Sequence, residues 1–447
     1  MNGVIGLRVR PWSFHLFFDY SPSTFPVRRE LCCSASFKSD RKEKIIVISG
    51  PTGAGKSRLA LELAKRINGE IISADSVQRI KNGTPSSVYQ GLDVGSAKPT
   101  PAERKEVPHH LLDILHPSEE YSVGQFYEDA RQATRDVLNK GRVPIVTGGT
   151  GLYLRWFIYG KPDVPKASHN ITSQVYAELE NHQLDEDWDA AVKLVVEAGV
   201  PNAPSFPKNN WYRLRRSLEI VKSSGSPPSA FPLPYDSFKE QLDSAAANDC
   251  LNKDEIEGSR LKDLDYDFAC FFLSSPRLDL YRSIDFRCED MLLGCDGILS
   301  EAKWLLDIGI PPNSNSATRA IGYRQGMEYL LRCREGGQSS AREFLSFLSE
   351  FQKASRNFAK RQLTWFRNEP IYHWLNASRP MEQVLNFIQD AYLDQNTTLT
   401  VPESLRMKNN ISNHREMAEL KAYRTRNRHF VSQEDCADIL TWIRTEG

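Results

Sequence analysis

The string Gly50-Pro51-Thr52-Gly53-Ala54-Gly55-Lys56-Ser57 satisfies every fixed position of G-x-x-x-x-G-K-[ST]. A β-branched run, Ile45-Ile46-Val47-Ile48, comes before it. Leu59, Ala60, Leu63, Ala64 and Ile67 follow at helical spacing. In that setting a glycine loop turns its backbone N–H groups onto an anion, and the start of the helix adds partial positive charge. Lys56 offers a cation to a terminal phosphate and Ser57 a hydroxyl ligand for Mg2+. The loop specifies a polyphosphate without saying which, because kinases, GTPases and ATPases use it too. A second candidate is Asp75, in Ser73-Ala74-Asp75-Ser76, just past the strand-like run 70–74. A carboxylate at the C-terminal end of a strand beside such a loop lies at the ligand crevice of an open α/β sheet. There it could hold Mg2+, take a proton from an attacking amine, or cap a helix. The local pattern leaves all three open.

The elements that must hold these residues alternate strand and helix. Runs at 44–48, 70–74 and 143–147, the last entering Gly148-Gly149, predict an α/β fold with a P-loop parallel-sheet core and helices on both faces. Residues 1–42 read as a leader and 43–162 as the first part of the core. An inserted, mainly helical domain is expected at 163–235, and the rest of the core with C-terminal helices at 236–375. Within these, 223–234 is rich in Ser and Pro and predicts a loop, and 267–273 predicts a strand. Spacing predicts helix over 277–308 and a long helix over 340–367, stopped before Pro370. The tail, 376–447, carries weak signals, and its basic residues read as a solvated face.

Composition narrows the class. The 57 Lys+Arg balance 57 Asp+Glu, so any nucleic-acid surface must be a local patch. One candidate stretch runs from Arg319 to Arg367, with ten Lys/Arg against four Glu, a surplus of six; by charge alone it reads equally as an RNA surface or as a solvated helix face. Eight cysteines contain no C-x-x-C pair, and read as reduced structural thiols rather than a zinc site. No apolar run reaches the roughly 18–20 residues of a membrane span. The leader is basic and serine-containing, with Arg8, Arg10, Arg28, Arg29, Lys38, Arg41 and Lys42 against Asp19, Glu30 and Asp40. It is similar to a plastid or mitochondrial transit peptide, with a cytoplasmic protein carrying a basic leader as the alternative.

Longer blocks carry more information. GPTGAGKSRLALELA, SADS, VYQGLDVGSAKPT, VPHHLLDI, YSVGQFYEDA and VPIVTGGTGLYL are followed by NNWYRLRRSLEI, TRAIGYRQGMEYL and NFAKRQLTWFR. In order and spacing, over about residues 44–375, they resemble the tRNA dimethylallyltransferase (tRNA isopentenyltransferase) family in its bacterial form. The resemblance implies transfer of a dimethylallyl group from dimethylallyl diphosphate to N6 of the adenosine 3′ of the anticodon. It implies that Gly50 to Ser57 grip the diphosphate with Mg2+, and that Asp75 is the general base. Thr52, Lys56, Ser57 and Arg287 complete the implied catalytic set. The implied tRNA contacts are Asp75, Ser76, Val77, Gln78, Thr150, Tyr212, Arg213, Arg216, Arg319, Gly322, Tyr323, Arg324, Lys360, Arg361, Gln362, Trp365 and Arg367. Tyr323 and Trp365 are candidate supports for a flipped-out base, with a place in the core as the equal alternative for each. A monomer acting on the tRNA anticodon arm, with no membrane partner, is expected.

The chemistry agrees with that assignment. A departing diphosphate needs cations and amide N–H groups around it. Adenine N6 is a weak amine, and a carboxylate helps it by taking a proton as the bond forms. One departure from the family pattern is the polar run 79–87 (RIKNGTPSS), which interrupts Gln78 and Val88. It predicts a loop, with the fold kept and activity reduced. The nearest rival is an adenylate isopentenyltransferase acting on free AMP, ADP or ATP in cytokinin biosynthesis. A small-molecule or nucleotide kinase and a catalytically impaired RNA-binding relative are the others. TRAIGYRQ and AKRQLTWFR favour tRNA, because a free nucleotide needs no extended basic helical surface.

Overall fold

The β-branched residues Ile45 to Ile48 are wholly buried, on a strand shielded on both faces, as a central parallel strand requires. The computed structural model describes residues 42–75, 88–247, 264–294, 296–336, 339–394, 399–408 and 414–447. The leader up to residue 41, the run 79–87, and Ser76, Val77 and Gln78 lie outside the described residues. β1 (Lys44–Ser49) pairs in parallel with β4 (Val143–Gly148) on one side and β5 (Asp267–Ser274) on the other. β2 (Gly69–Ser73), β3 (His109–His110) and β6 (His373–Asn376) complete an all-parallel sheet of order β3-β2-β4-β1-β5-β6.

Register decides where chemistry can occur. Ser49 lies opposite Gly148, and Ser73 opposite Thr147. The chain therefore leaves β1, β2 and β4 at one edge of the sheet, through Gly50, Ala74-Asp75 and Gly149 in turn. This is the carboxyl edge at which open α/β sheets bind ligands.

In chain order the helices are α1 (Lys56–Ile67), α2 (Pro101–Glu106), α3 (Val123–Asn139) and α4 (Gly151–Tyr159). The next are α5 (His169–Leu184), α6 (Trp188–Glu197), α7 (Trp211–Ser224) and α8 (Pro234–Ala247). After β5 come α9 (Arg277–Asp290), α10 (Ile298–Asp307), α11 (Tyr323–Gly336) and α12 (Ala341–Phe366). α13 (Met381–Leu393), α14 (His414–Ala422) and α15 (Ala437–Thr445) follow β6.

Alternate residues of β1 enter different cores. Ile45 and Val47 join one with Phe126, Leu154, Ile284, Leu299, Met327 and Phe351. Ile46 and Ile48 join another with Leu59 and Leu63 of α1 and Leu385 and Ile388 of α13. Helices α5 to α7 enclose a core of their own around Val175, Trp188, Val195, Trp211 and Leu214.

The long helix begins where the sequence predicts. Ser340 caps it, its side chain accepting the Glu343 N–H while Glu343 accepts the Ser340 N–H, a reciprocal capping box. One reading needs correction. The stretch 277–308 is two helices, α9 and α10, with Gly294 between them at a left-handed φ of 80°. In the tail, α13 buries Val384, Leu385 and Ile388, and Phe430, Cys436, Leu440 and Ile443 join the larger core.

Gly148 sits where two strand ends touch. A Cβ there would lie 2.2 Å from both C and O of Ala74 and 2.7 Å from the Asp75 nitrogen. Those are backbone atoms and cannot step aside. Gly148→Ala is therefore expected to cost about 1–3 kcal/mol through overpacking, read as a lower melting temperature in calorimetry.

Candidate active site

Gly55 adopts a left-handed φ of 85° at the N-cap of α1, which lets the loop turn its amides inward and start the helix at Lys56. Lys56 is buried, and its Nζ donates to the Pro51 carbonyl at 3.2 Å. Burial pulls its pKa below the ordinary lysine value; the nearby Asp75 charge opposes the shift and Arg287 adds to it. Arg287, on α9, is driven in the same direction by burial, with Asp75 opposing. α9 lies directly on the loop: a Cβ at Gly53 would stand 2.8 Å from Cγ1 of Ile284.

Hydrogen bonds run unbroken from this arginine to Asp75. Arg287 Nη1 donates to Thr52 Oγ1 at 2.6 Å. The Thr52 N–H donates to Gln362 Oε1 at 2.9 Å, and Gln362 Nε2 donates to the Gly149 carbonyl at 3.0 Å. The Gly149 N–H then donates to Asp75 Oδ1 at 2.7 Å. The cavity beside this chain has a volume of about 390 Å3. Thr52, Gly53, Gly55, Lys56, Ser57, Arg58, Asp75 and Arg287 give it a polar end. Ile284, Cys288, Met291, Ala320, Ile321 and Phe351 give it an apolar wall. Gly95, Ser96 and Ala97 close another side.

Three residues assigned from the sequence to tRNA contact are buried. Gln362 is 5% exposed, and both ends of its amide are used in bridging the P-loop to Gly149. Tyr323 is 0% exposed, and its hydroxyl donates to Glu301 at 2.7 Å. Gly322 is buried beside it at a φ of 97°, its N–H donating to Gln325. None of the three faces solvent in this structure. Gln362→Ala would leave the Thr52 N–H and the Gly149 carbonyl without this partner. It is expected to lower stability by about 1–3 kcal/mol and to weaken pyrophosphate binding measured by calorimetry.

The remaining positions divide by exposure. Lys360 and Arg361 are exposed on α12, as is Arg324 on α11, while Trp365, 36% exposed, lies against Gly151 and Arg155. Arg367, at the end of α12, is half-buried. Thr150 is half-buried at the N-cap of α4, next to Gly149. Tyr212, Arg213 and Arg216 are half-buried on α7. Arg213 lies 4.1 Å over the Phe206 ring, and Arg216 pairs with Glu219 at 3.1 Å. Arg319 donates to the carbonyl of Asn313 at 2.9 Å and to that of Asn209 at 3.4 Å, tying the approach to α11 to the start of α7.

Sequence reasoning missed several supporting groups. Glu301 accepts the N–H groups of Asp93, Val94 and Gly95 at 2.6, 2.7 and 3.0 Å, and so aims residues 95–97 at the cavity. Lys98 is pinned between Asp93 and Asp113 at 2.7 and 2.6 Å. Arg155 pairs with buried Glu369 and lies over the rings of Tyr235 and Trp365 at 3.8 and 4.3 Å. Lys98 stood inside a block already singled out. Glu301 had no sequence signal, because its partners are mostly backbone amides.

A family model described as IPP transferase matches residues 87–369, well over half of the chain. The chain belongs to the IPP transferase family. An Arabidopsis thaliana protein named tRNA dimethylallyltransferase 9 is 62% identical over 446 residues, covering 96% of this chain and 94% of its own. A tRNA dimethylallyltransferase of Protochlamydia amoebophila is 38% identical, over 75% of this chain and 85% of its own. The crystal structure of the full-length tRNA isopentenylpyrophosphate transferase of Bacillus halodurans shares 30% identity at a TM-score of 0.50, covering 78% of this chain and 97% of that one. A eukaryotic dimethylallyltransferase acting on tRNA has the same fold, at a TM-score of 0.55 and 24% identity, covering 78% of this chain and 79% of its own.

Proposed function

We propose that this IPP transferase moves a dimethylallyl group from dimethylallyl diphosphate to N6 of the adenosine 3′ of the anticodon in tRNA, acting as a monomer. The observation that carries it is one cavity with Lys56, Ser57 and Arg287 at its polar end, Asp75 beside them, and an apolar wall from Ile284 to Phe351. A diphosphate and a short hydrocarbon chain both find their solvent there. Proteins named tRNA dimethylallyltransferase at 62% and 38% identity support tRNA as the acceptor.

In this reading the P-loop amides and Lys56 hold the diphosphate, and Arg287 takes up charge as it departs. Among the described residues no three His, Cys, Asp or Glu side chains are grouped to hold a metal. Ser57 and the substrate's own phosphates would hold Mg2+. When bound it supplies charge neutralisation at the leaving group. Asp75 accepts the N6 proton as the new C–N bond forms, and its bond from Gly149 keeps the carboxylate pointed. The apolar wall excludes water from the allylic carbon. Exposed Lys360, Arg361 and Arg324 suit phosphate contacts of the anticodon arm. The leader is read as an import signal to plastid or mitochondrion. Among the described residues no helix is long and apolar enough to cross a membrane.

The test is transfer of labelled dimethylallyl diphosphate to unmodified tRNA, with AMP, ADP and ATP as competing acceptors. Label in the anticodon loop is expected. Label on free nucleotide alone would overturn the reading in favour of an adenylate isopentenyltransferase.

A further inference from the structure

α9 has two occupied sides. Ile284, Arg287, Cys288 and Met291 face the cavity. Asp285 and Glu289 each lie two residues from Arg287, hence roughly 200° around the helix axis on the far side. Both carboxylates are buried, at 1% and 0% exposure. They are satisfied mainly by a stretch of chain more than 130 residues away in sequence. The Tyr423 hydroxyl donates to Asp285 Oδ2 at 2.7 Å, and Arg356 of α12 pairs with Oδ1. The backbone N–H groups of Arg428, His429 and Phe430 converge on Glu289 at 2.9, 2.8 and 3.1 Å. Around these, the Tyr423 ring meets Tyr281 edge-on at 5.5 Å, and Arg428 lies 5.0 Å over Phe286.

We propose that residues 423–430 are a positioning element for the diphosphate site: by gripping the far side of α9 through Asp285 and Glu289, they fix the reach of Arg287 to Thr52 and the bound diphosphate. The inference rests on the proposed role of Arg287 and goes beyond it. The segment lies outside residues 87–369, the part that the family model matches. A carboxylate that gathers three consecutive amides fixes both position and rotation, because those donors are part of one rigid stretch of backbone. Rotating α9 would swing a long side chain on its opposite face away from its partner.

The test uses two full-length variants. Tyr423→Phe removes one donor and keeps the ring. Glu289→Gln turns one acceptor oxygen into an N–H2 that faces backbone donors. Binding of inorganic pyrophosphate is measured by calorimetry, with KM for dimethylallyl diphosphate and for tRNA measured separately. The expected result is pyrophosphate affinity and prenyl-donor KM worse by about tenfold in Glu289→Gln, as for one lost hydrogen bond to a charged group. A smaller loss is expected in Tyr423→Phe, with KM for tRNA unchanged in both. The decisive arm repeats each change on an Arg287→Met background, where the loss disappears if the segment works through that arginine. Unchanged pyrophosphate affinity in both variants overturns the proposal. So does an equal loss with and without Arg287. Wild-type protein that binds pyrophosphate but prenylates no acceptor would fail the proposed function and leave this test intact.

Discussion

Asp75→Asn is expected to lower the single-turnover rate of prenyl transfer by about 10²- to 10⁴-fold, the usual worth of a positioned general base. An asparagine side chain retains an oxygen for the Gly149 N–H, so the Gly149 loop keeps its tie and the variant folds. The basicity and the negative charge are lost. A second effect separates this residue from a merely structural aspartate. The Asp75 charge holds the Lys56 pKa up against the burial that lowers it. Without that charge Lys56 deprotonates at lower pH, so the alkaline loss of pyrophosphate binding moves to lower pH in Asp75→Asn. A rate within tenfold of wild type would remove Asp75 as the base, and an unmoved binding profile would remove its effect on Lys56.

Arg287→Met is expected to cost about 10²- to 10³-fold in kcat/KM for dimethylallyl diphosphate, the range seen when one donor to a developing anion is removed. Two things vanish together, the buried positive charge and the bond to Thr52 Oγ1. Arg287→Lys should recover only part, because an ammonium restores charge but not the fork that reaches Thr52 and a phosphate oxygen at once. KM for tRNA should stay near wild type. Steady-state kinetics with each substrate varied in turn would check this, and a larger change in the tRNA term would remove Arg287 from the diphosphate site.

The parts of this molecule that repeat along the chain were legible in advance. β1, β4, β5 and the 26 residues of α12 announced themselves by periodicity, and the P-loop by a full motif between a strand and a helix. Gln362 shows what a motif leaves open. It stood in a basic block, yet Phe358, Ala359, Gln362, Leu363 and Phe366 are the buried positions of that turn of α12. Helical spacing already put 362 with the apolar residues, and local charge said nothing about facing. Tyr323 takes the core place that was its alternative, with Gln325, Gly326 and Met327 also buried. The grip on Glu289 was beyond reach of the sequence, since a carboxylate held by backbone amides has no partner residue type to search for.

Gln362 also has a thermodynamic consequence. Its two hydrogen bonds tie the P-loop to the Gly149 loop, while Lys360 and Arg361 on the same helix are exposed. If RNA rests on that outer side, acceptor and donor share a lever with one arm in each compartment. Linkage is then reciprocal: whatever factor a bound polynucleotide applies to the donor's dissociation constant, the donor applies to the polynucleotide's. Affinities measured for either substrate alone would be conditional quantities. The ratio of RNA affinities with and without pyrophosphate would tell a stiff lever, which gives one, from a lever that moves.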